Sequence, residues 1–118
     1  MLPPVPNASA FPPPGNSAAV FAALGDDVRL GLVEKLSATG PQSIAGLTAG
    51  SGVTRQAVTK HLHVLETAGF VNGSRRGREQ VWELRPGRLD WARSYLDLVS
   101  SRWDDALARL AHHLEQEK

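Results

Sequence analysis

The stretch TRQAVTKHLHVLETAG, residues 54–69, decides how the rest of the chain is read. Stepping 100° per residue from Val58 places Leu62 at roughly 40° and Leu65 at roughly −20°, so the three share one helix face. Gln56, Lys60, His63 and Thr67 fall on the opposite face, with Thr59 between the two. Thr54 is a capping residue type at the start, and Gly69 is a stop at the end. Phe70 just after that glycine suits a Schellman-type close. Taken alone, such a helix is an ordinary surface element. Its neighbours give it a role: a short helix and a glycine turn precede it, and an arginine-rich ribbon follows.

Upstream, Ser43 can cap a short helix over 44–49 with Ile44 and Leu47 inward, and Gly50-Ser51-Gly52 makes the turn. Short helix, tight turn and amphipathic second helix form a helix-turn-helix pattern. Further upstream, Ser17–Leu24 reads as a helix with Val20, Phe21 and Leu24 on one side. Gly25 closes it, and Asp26 caps the next helix over 27–37, whose stripe is Val28, Leu32, Val33 and Leu36.

Downstream, residues 70–84 (FVNGSRRGREQVWEL) read as two strands joined near Arg76-Gly77-Arg78. Gln80, Trp82 and Leu84 point one way and Val81 and Glu83 the other. Trp82 and Leu84 are expected to anchor the ribbon to the core, and Arg75, Arg76 and Arg78 crown its tip. Pro86-Gly87 breaks the chain, and a long helix is expected from 89 to 117. Leu96, Val99, Trp103, Leu107, Leu110 and Leu114 recur there at spacings of 3, 4, 4, 3 and 4, close to a heptad seam. One domain can cover only part of so long a stripe, so a second copy of the same helix is expected on the rest.

The expected fold is mainly α with a small β-hairpin: a winged helix-turn-helix of four helices, two strands and a last helix, with the seam of that last helix facing a second copy. Its parts are a flexible proline-rich tail over 1–16, with six prolines, a winged helix DNA-binding domain over 17–88, and a dimerisation helix over 89–118 packed on the same domain.

Charge is unevenly distributed. Net charge is +1 overall, but residues 54–88 carry seven basic and three acidic side chains. The flanking segments 1–53 and 89–118 are net −1 and −2. Positive charge gathered in the middle third points to an anionic partner, with phosphate leading. No apolar run approaches the roughly 18 residues of a membrane span, so no membrane partner is expected. The chain has no cysteine, which excludes disulfides, thiol catalysis and thiolate metal sites and fits a cytoplasmic protein.

Double-stranded DNA fits these features. Arg55 and Lys60 can meet guanine acceptors, Gln56 can pair with adenine, and the Thr59 methyl can meet a thymine methyl. Ser51 and Thr54 offer hydroxyls to phosphates, His63 faces outward, and Arg75, Arg76 and Arg78 can reach the flanking backbone or minor groove. Plain solvation explains any one of these side chains; the ordered set of turn, helix and basic wing is more specific. His61, near −60° on the wheel, sits at the core edge and is expected to be packed or hydrogen-bonded there. No motif orders a nucleophile, base and orienter, and no phosphate loop of known spacing occurs, so no enzyme and no cofactor are expected.

The pattern resembles the ArsR family of bacterial winged-helix repressors, in its non-cysteine branch. The likeness is carried by ALGDDVRLGLVEKL, GVTRQAVTKHLHVLETAGFV and GREQVWEL, within about residues 18–114. It implies a homodimer joined through the first and last helices, with Val20 and Phe21 beside the seam residues, operator binding by two copies of the helix at 54–68, and repression. The family is also known for metal sensing, and here the sequence departs. The helix at 43–50 lacks the cysteine pair. His112 and Glu115 match half of the zinc-type site, but its upstream partners fall on Val99 and Ser101, which cannot ligate. No metal site is therefore expected. Two other readings remain open: a winged-helix protein-interaction module, and a repressor sensing an unidentified small organic effector near Trp91, Tyr95 and Trp103 at the dimer interface.

Overall fold

The computed structural model describes residues 17–116; the proline-rich tail lies outside them. α1 (Ser17–Leu24) leads into α2 (Asp27–Thr39). The Asp26 carboxylate accepts from the Val28 and Arg29 amides at 2.9 and 3.1 Å, satisfying two of the free donors at the start of α2. β1 (Gln42–Ser43) and α3 (Ile44–Thr48) follow, with the Ser43 hydroxyl accepting from the Gly46 amide at 3.1 Å. The other end of α3 is closed from outside: Lys35 Nζ on α2 donates to the Gly46 and Ala49 carbonyls.

α4 (Arg55–Thr67) is the expected helix at 54–69. Thr54 Oγ1 accepts from the Ala57 amide at 3.1 Å. At the far end Gly69 N–H reaches the Glu66 carbonyl and Phe70 N–H the Leu65 carbonyl, at 3.0 and 2.9 Å. This is the Schellman pattern, and Gly69 supplies its left-handed backbone with φ 91°. Val58, Leu62 and Leu65 are fully buried, joined by Phe70, Leu47, Leu36 and Trp82 in one core.

β2 (Val71–Arg76) and β3 (Glu79–Leu84) pair antiparallel, with Arg76 opposite Glu79 across the two-residue loop Gly77-Arg78. Gly77, at the first central position with φ 65°, fits the tight hairpin loop that places glycine there. The expected hairpin is thus present, but the sheet has three strands in the order β1-β3-β2. β1 adds Gln42 and Ser43 opposite Trp82 and Val81. β3 is therefore central, and its Val81 and Trp82, read as pointing to opposite sides, are both buried.

α5 (Pro86–Gln116) starts three residues earlier than expected, at Pro86. Proline at the first helical position lacks only an N–H that has no helical partner there, so here it opens the helix instead of breaking the chain. The expected division at 88/89 consequently falls inside one helix. Trp91 and Ala92 enter the core, and Tyr95 and Leu98 pack against it.

Candidate nucleic-acid interface

The outward face of α4 carries Arg55, Gln56, Lys60 and His63, all exposed, with Thr59 half-buried. Position on the helix explains this: the same geometry that buries Val58, Leu62 and Leu65 turns these residues to solvent. Hydroxyl chemistry narrows some expected roles. Ser51 Oγ donates to the Thr48 carbonyl at 2.7 Å and accepts from Val53 N–H, so its single proton holds the turn and is withdrawn from phosphate binding. Thr59 Oγ1 donates to the Arg55 carbonyl at 2.9 Å, leaving its methyl as the group it can offer a base. Thr54 accepts the Ala57 amide through oxygen and keeps its own proton.

The wing continues this face. Arg75, Arg76 and Arg78 are exposed, and Arg76 Nη2 lies 4.0 Å from Glu83 Oε2, an exposed cross-strand pair. A cleft of about 300 Å³ lies between α4 and the sheet, lined by Ile44, Arg55, Thr59, His63, Gln80 and Trp82. The His63 ring stands edge-on to Trp82 with centroids 5.6 Å apart. Glu66 Oε1 lies 3.5 Å from His63 Nδ1, and Glu66 Oε2 accepts from the Gly73 amide at 3.4 Å, tying α4 to β2. Sequence reading gave Arg55, Thr59 and His63 as candidate DNA contacts of the helix but did not foresee the cleft. It missed Gln80 as a neighbour of Arg55 and took Trp82 only as an anchor; the strand alternation that set both on one face was the available signal.

His61 is held at the core edge, as its wheel position indicated. Arg29 Nη1 lies 3.2 Å from its Nδ1, and Arg29 Nε donates to the Ala23 carbonyl at 2.7 Å. A guanidinium only donates, so Nδ1 is the acceptor and a neutral His61 carries its proton on Nε2. Asp26 Oδ1 lies 3.9 Å from the same nitrogen. The Asp26 carboxyl is held below its ordinary value of 3.8, chiefly by the hydrogen bond from Arg29 N–H. Arg88 is buried with its guanidinium 5.6 Å over the Trp91 ring, and burial pushes its pKa down, Arg85 adding to the effect.

The residues expected at a dimer surface divide. Val20 is 3% exposed within the single chain, so its side chain belongs to the chain's own core and is withdrawn from the seam. Phe21 is half-buried against Trp91 and Tyr95, at 5.9 and 5.5 Å. Leu96, Trp103, Leu107, Leu110 and Leu114 are each more than half exposed, and Val99 is half-buried. Trp91 stacks on Tyr95 at 5.2 Å inside the domain, while Trp103 stands on the open stripe, so the proposed aromatic effector cluster is split between core and seam. His112 Nε2 faces Gln116 Nε2 at 3.0 Å, and no group of three metal-ligating side chains occurs among the described residues.

A helix-turn-helix with a basic antiparallel wing and a long closing helix defines the winged helix-turn-helix class of DNA-binding proteins. The helix-turn-helix domain family matches residues 24–73. The HTH-type transcriptional regulator Rv2034 of Mycobacterium tuberculosis is 37% identical over 97 residues, 82% of this chain and 87% of that one. An ArsR-like transcriptional regulator from Rhodococcus sp. RHA1 is 33% identical with a TM-score of 0.72, over 80% of this chain and 89% of that one. The homodimeric winged helix-turn-helix DNA-binding domain Mb0332 from Mycobacterium bovis is 26% identical with a TM-score of 0.56, over 78% and 82%. The chain belongs to the ArsR family of winged helix-turn-helix transcriptional regulators. These relatives are regulators rather than enzymes, and no helix among the described residues is long and apolar enough to cross a membrane.

Proposed function

We propose that the protein is a cytoplasmic, homodimeric, sequence-specific repressor. Each α4 lies in a major groove of double-stranded DNA, and each wing reaches the flanking backbone or minor groove. One observation carries this reading: the polar face of α4 and the wing strand β3 border a common cleft, so helix and basic ribbon form one continuous surface. On it Gln56, Lys60 and the Thr59 methyl read base edges, while Arg55, Thr54 and His63 meet the strand beside them. Arg75, Arg76 and Arg78 supply contacts that do not depend on sequence. The homodimer of the Mb0332 domain supports pairing, as does the bare stripe on α5.

The test is binding to DNA from the protein's own promoter region at several salt concentrations. Gln56→Ala or Lys60→Ala should relax sequence choice. Arg76→Ala or Arg78→Ala should weaken binding to all sequences and lower the salt slope by about 1. Affinity no higher for the promoter than for random DNA would falsify the reading. Tight DNA-independent capture of a protein by the wing, with Arg76→Ala tolerated, would favour the interaction-module reading in its place.

A further inference from the structure

We propose that DNA binding is linked to protonation of His63, with Glu66 as the positioning residue that creates the linkage. It rests on the DNA-binding reading above and adds to it control of the same surface by pH. Glu66 is the single acidic residue of α4. It follows His63 by one turn, on the helix that is to face a polyanion, where a lone carboxylate works against binding.

The two oxygens of Glu66 face different partners. Oε2 accepts from the Gly73 amide of β2 at 3.4 Å, which fixes the carboxylate between helix and wing. Oε1 lies 3.5 Å from His63 Nδ1, within ion-pair reach. A neutral imidazole has one N–H and one lone pair. With its proton on Nδ1, the ring serves Glu66 but turns a lone pair toward any phosphate that meets Nε2. With its proton on Nε2, the ring serves the phosphate but turns a lone pair on the carboxylate. Only the imidazolium donates to both. A DNA strand against this face therefore draws a proton onto His63, and the charged ring offsets Glu66.

The remaining groups around the ring are few. Arg55, which lines the same cleft, and Lys60, one turn earlier on α4, oppose a further positive charge. Gln80 and Trp82 of β3 and the Gly73 amide of β2 carry no charge. Against the two cations stand Glu66 and the phosphates of the strand. In the free chain the pair is exposed, 62% for His63 and 40% for Glu66, and such pairs contribute little in water. A docked strand excludes that water and strengthens the pair, so the linkage belongs to the complex.

The experiment measures the affinity of the full chain for promoter DNA at constant salt between about pH 6 and 8, where imidazoles gain their proton. Wild-type affinity should rise as pH falls, by up to about tenfold per pH unit for each half-site that takes up one proton. His63→Gln keeps an amide donor but cannot titrate, and its profile should be flatter. The difference between the two slopes separates His63 from His61 and every other titrating group. Glu66→Gln keeps an oxygen that can accept from the Gly73 amide, so a merely structural Glu66 predicts an unchanged pH profile. Loss of the counter-charge should instead flatten the profile and, at about pH 8, where imidazoles are mostly neutral, tighten binding relative to wild type. Equal slopes for wild type and His63→Gln, or a wild-type profile in Glu66→Gln, overturn the linkage and leave the DNA-binding reading standing. Absence of DNA binding at every pH overturns both.

Discussion

Arg29 is where three helices meet. Its guanidinium takes the Ala23 and Ala22 carbonyls at the end of α1 and faces His61 on α4, while its amide bonds the Asp26 carboxylate. Of these partners, the sequence displayed only two clearly: Asp26, a cap type before an apolar stripe, and His61, at the core edge of its wheel. Arg29 itself read as one more surface cation, because its bonds go to carbonyls brought near by tertiary packing. The same reason hid the commitment of Ser51 to its own turn. A hydroxyl's partner is a matter of local backbone path, which residue type does not reveal. Asp26 gives a pH prediction. Its folded pKa is depressed, so its contribution to stability is present above the ordinary value of 3.8 and is lost as pH falls through the depressed one. Asp26→Asn preserves a capping side chain but cannot titrate. Thermal melts below about pH 4 should therefore show a shallower loss of Tm with acid than wild type. Parallel curves for the two proteins would refute this.

At the scale of elements, the helices were legible because each carried both a periodic stripe and an end signal. α4 had Thr54 before it and Gly69 after it, and its bounds differ little from expectation. α5 was misplaced at its start because Pro86 was read as a breaker, although proline both breaks helix interiors and opens helices. β1 was not legible at all. Two residues cannot display alternation, and Gln42-Ser43 becomes a strand only because β3 lies beside it. Gly69 offers a direct test of the close on α4. Gly69→Ala must place a Cβ at φ 91°, at a cost of about 1–2 kcal/mol. Urea denaturation should report that loss, with the midpoint lowered and the m-value unchanged. Unchanged stability would mean that the α4–β2 junction relaxes into another turn. Because that junction sets the wing against the helix, DNA affinity should fall as well.

On the scale of the whole molecule, the described chain measures 70 × 32 × 22 Å. α5, with 31 residues and about 46 Å of length, accounts for much of the long dimension. Its first four turns serve the domain through Trp91, Ala92, Tyr95 and Leu98; beyond them, Leu107, Leu110 and Leu114 lie open. The repeat that foretold this stripe was visible because it is linear in sequence. The cleft between α4 and the wing was not, because its walls are separated by the turn at Gly69 and by strand pairing. If a second copy covers the stripe, Leu107→Glu should leave the single domain folded, since the side chain is 55% exposed. It should shift sedimentation from dimer to monomer and weaken promoter binding steeply, because two half-sites are then engaged independently. A variant that remains dimeric at micromolar concentration would place the contact elsewhere.

The far half of α5 has a further consequence for how such a chain can change over time. From Ser100 to Gln116 nearly every side chain is exposed, so substitutions there are almost invisible to the folding of the chain that carries them. Under the paired arrangement they are felt only by the copy across the seam. A cell holding several related regulators faces the problem of mixed pairs, and here is a segment that can diverge to prevent them without altering the DNA sequence read. It would act as an address label, written on a part of the molecule that neither the core nor the operator inspects.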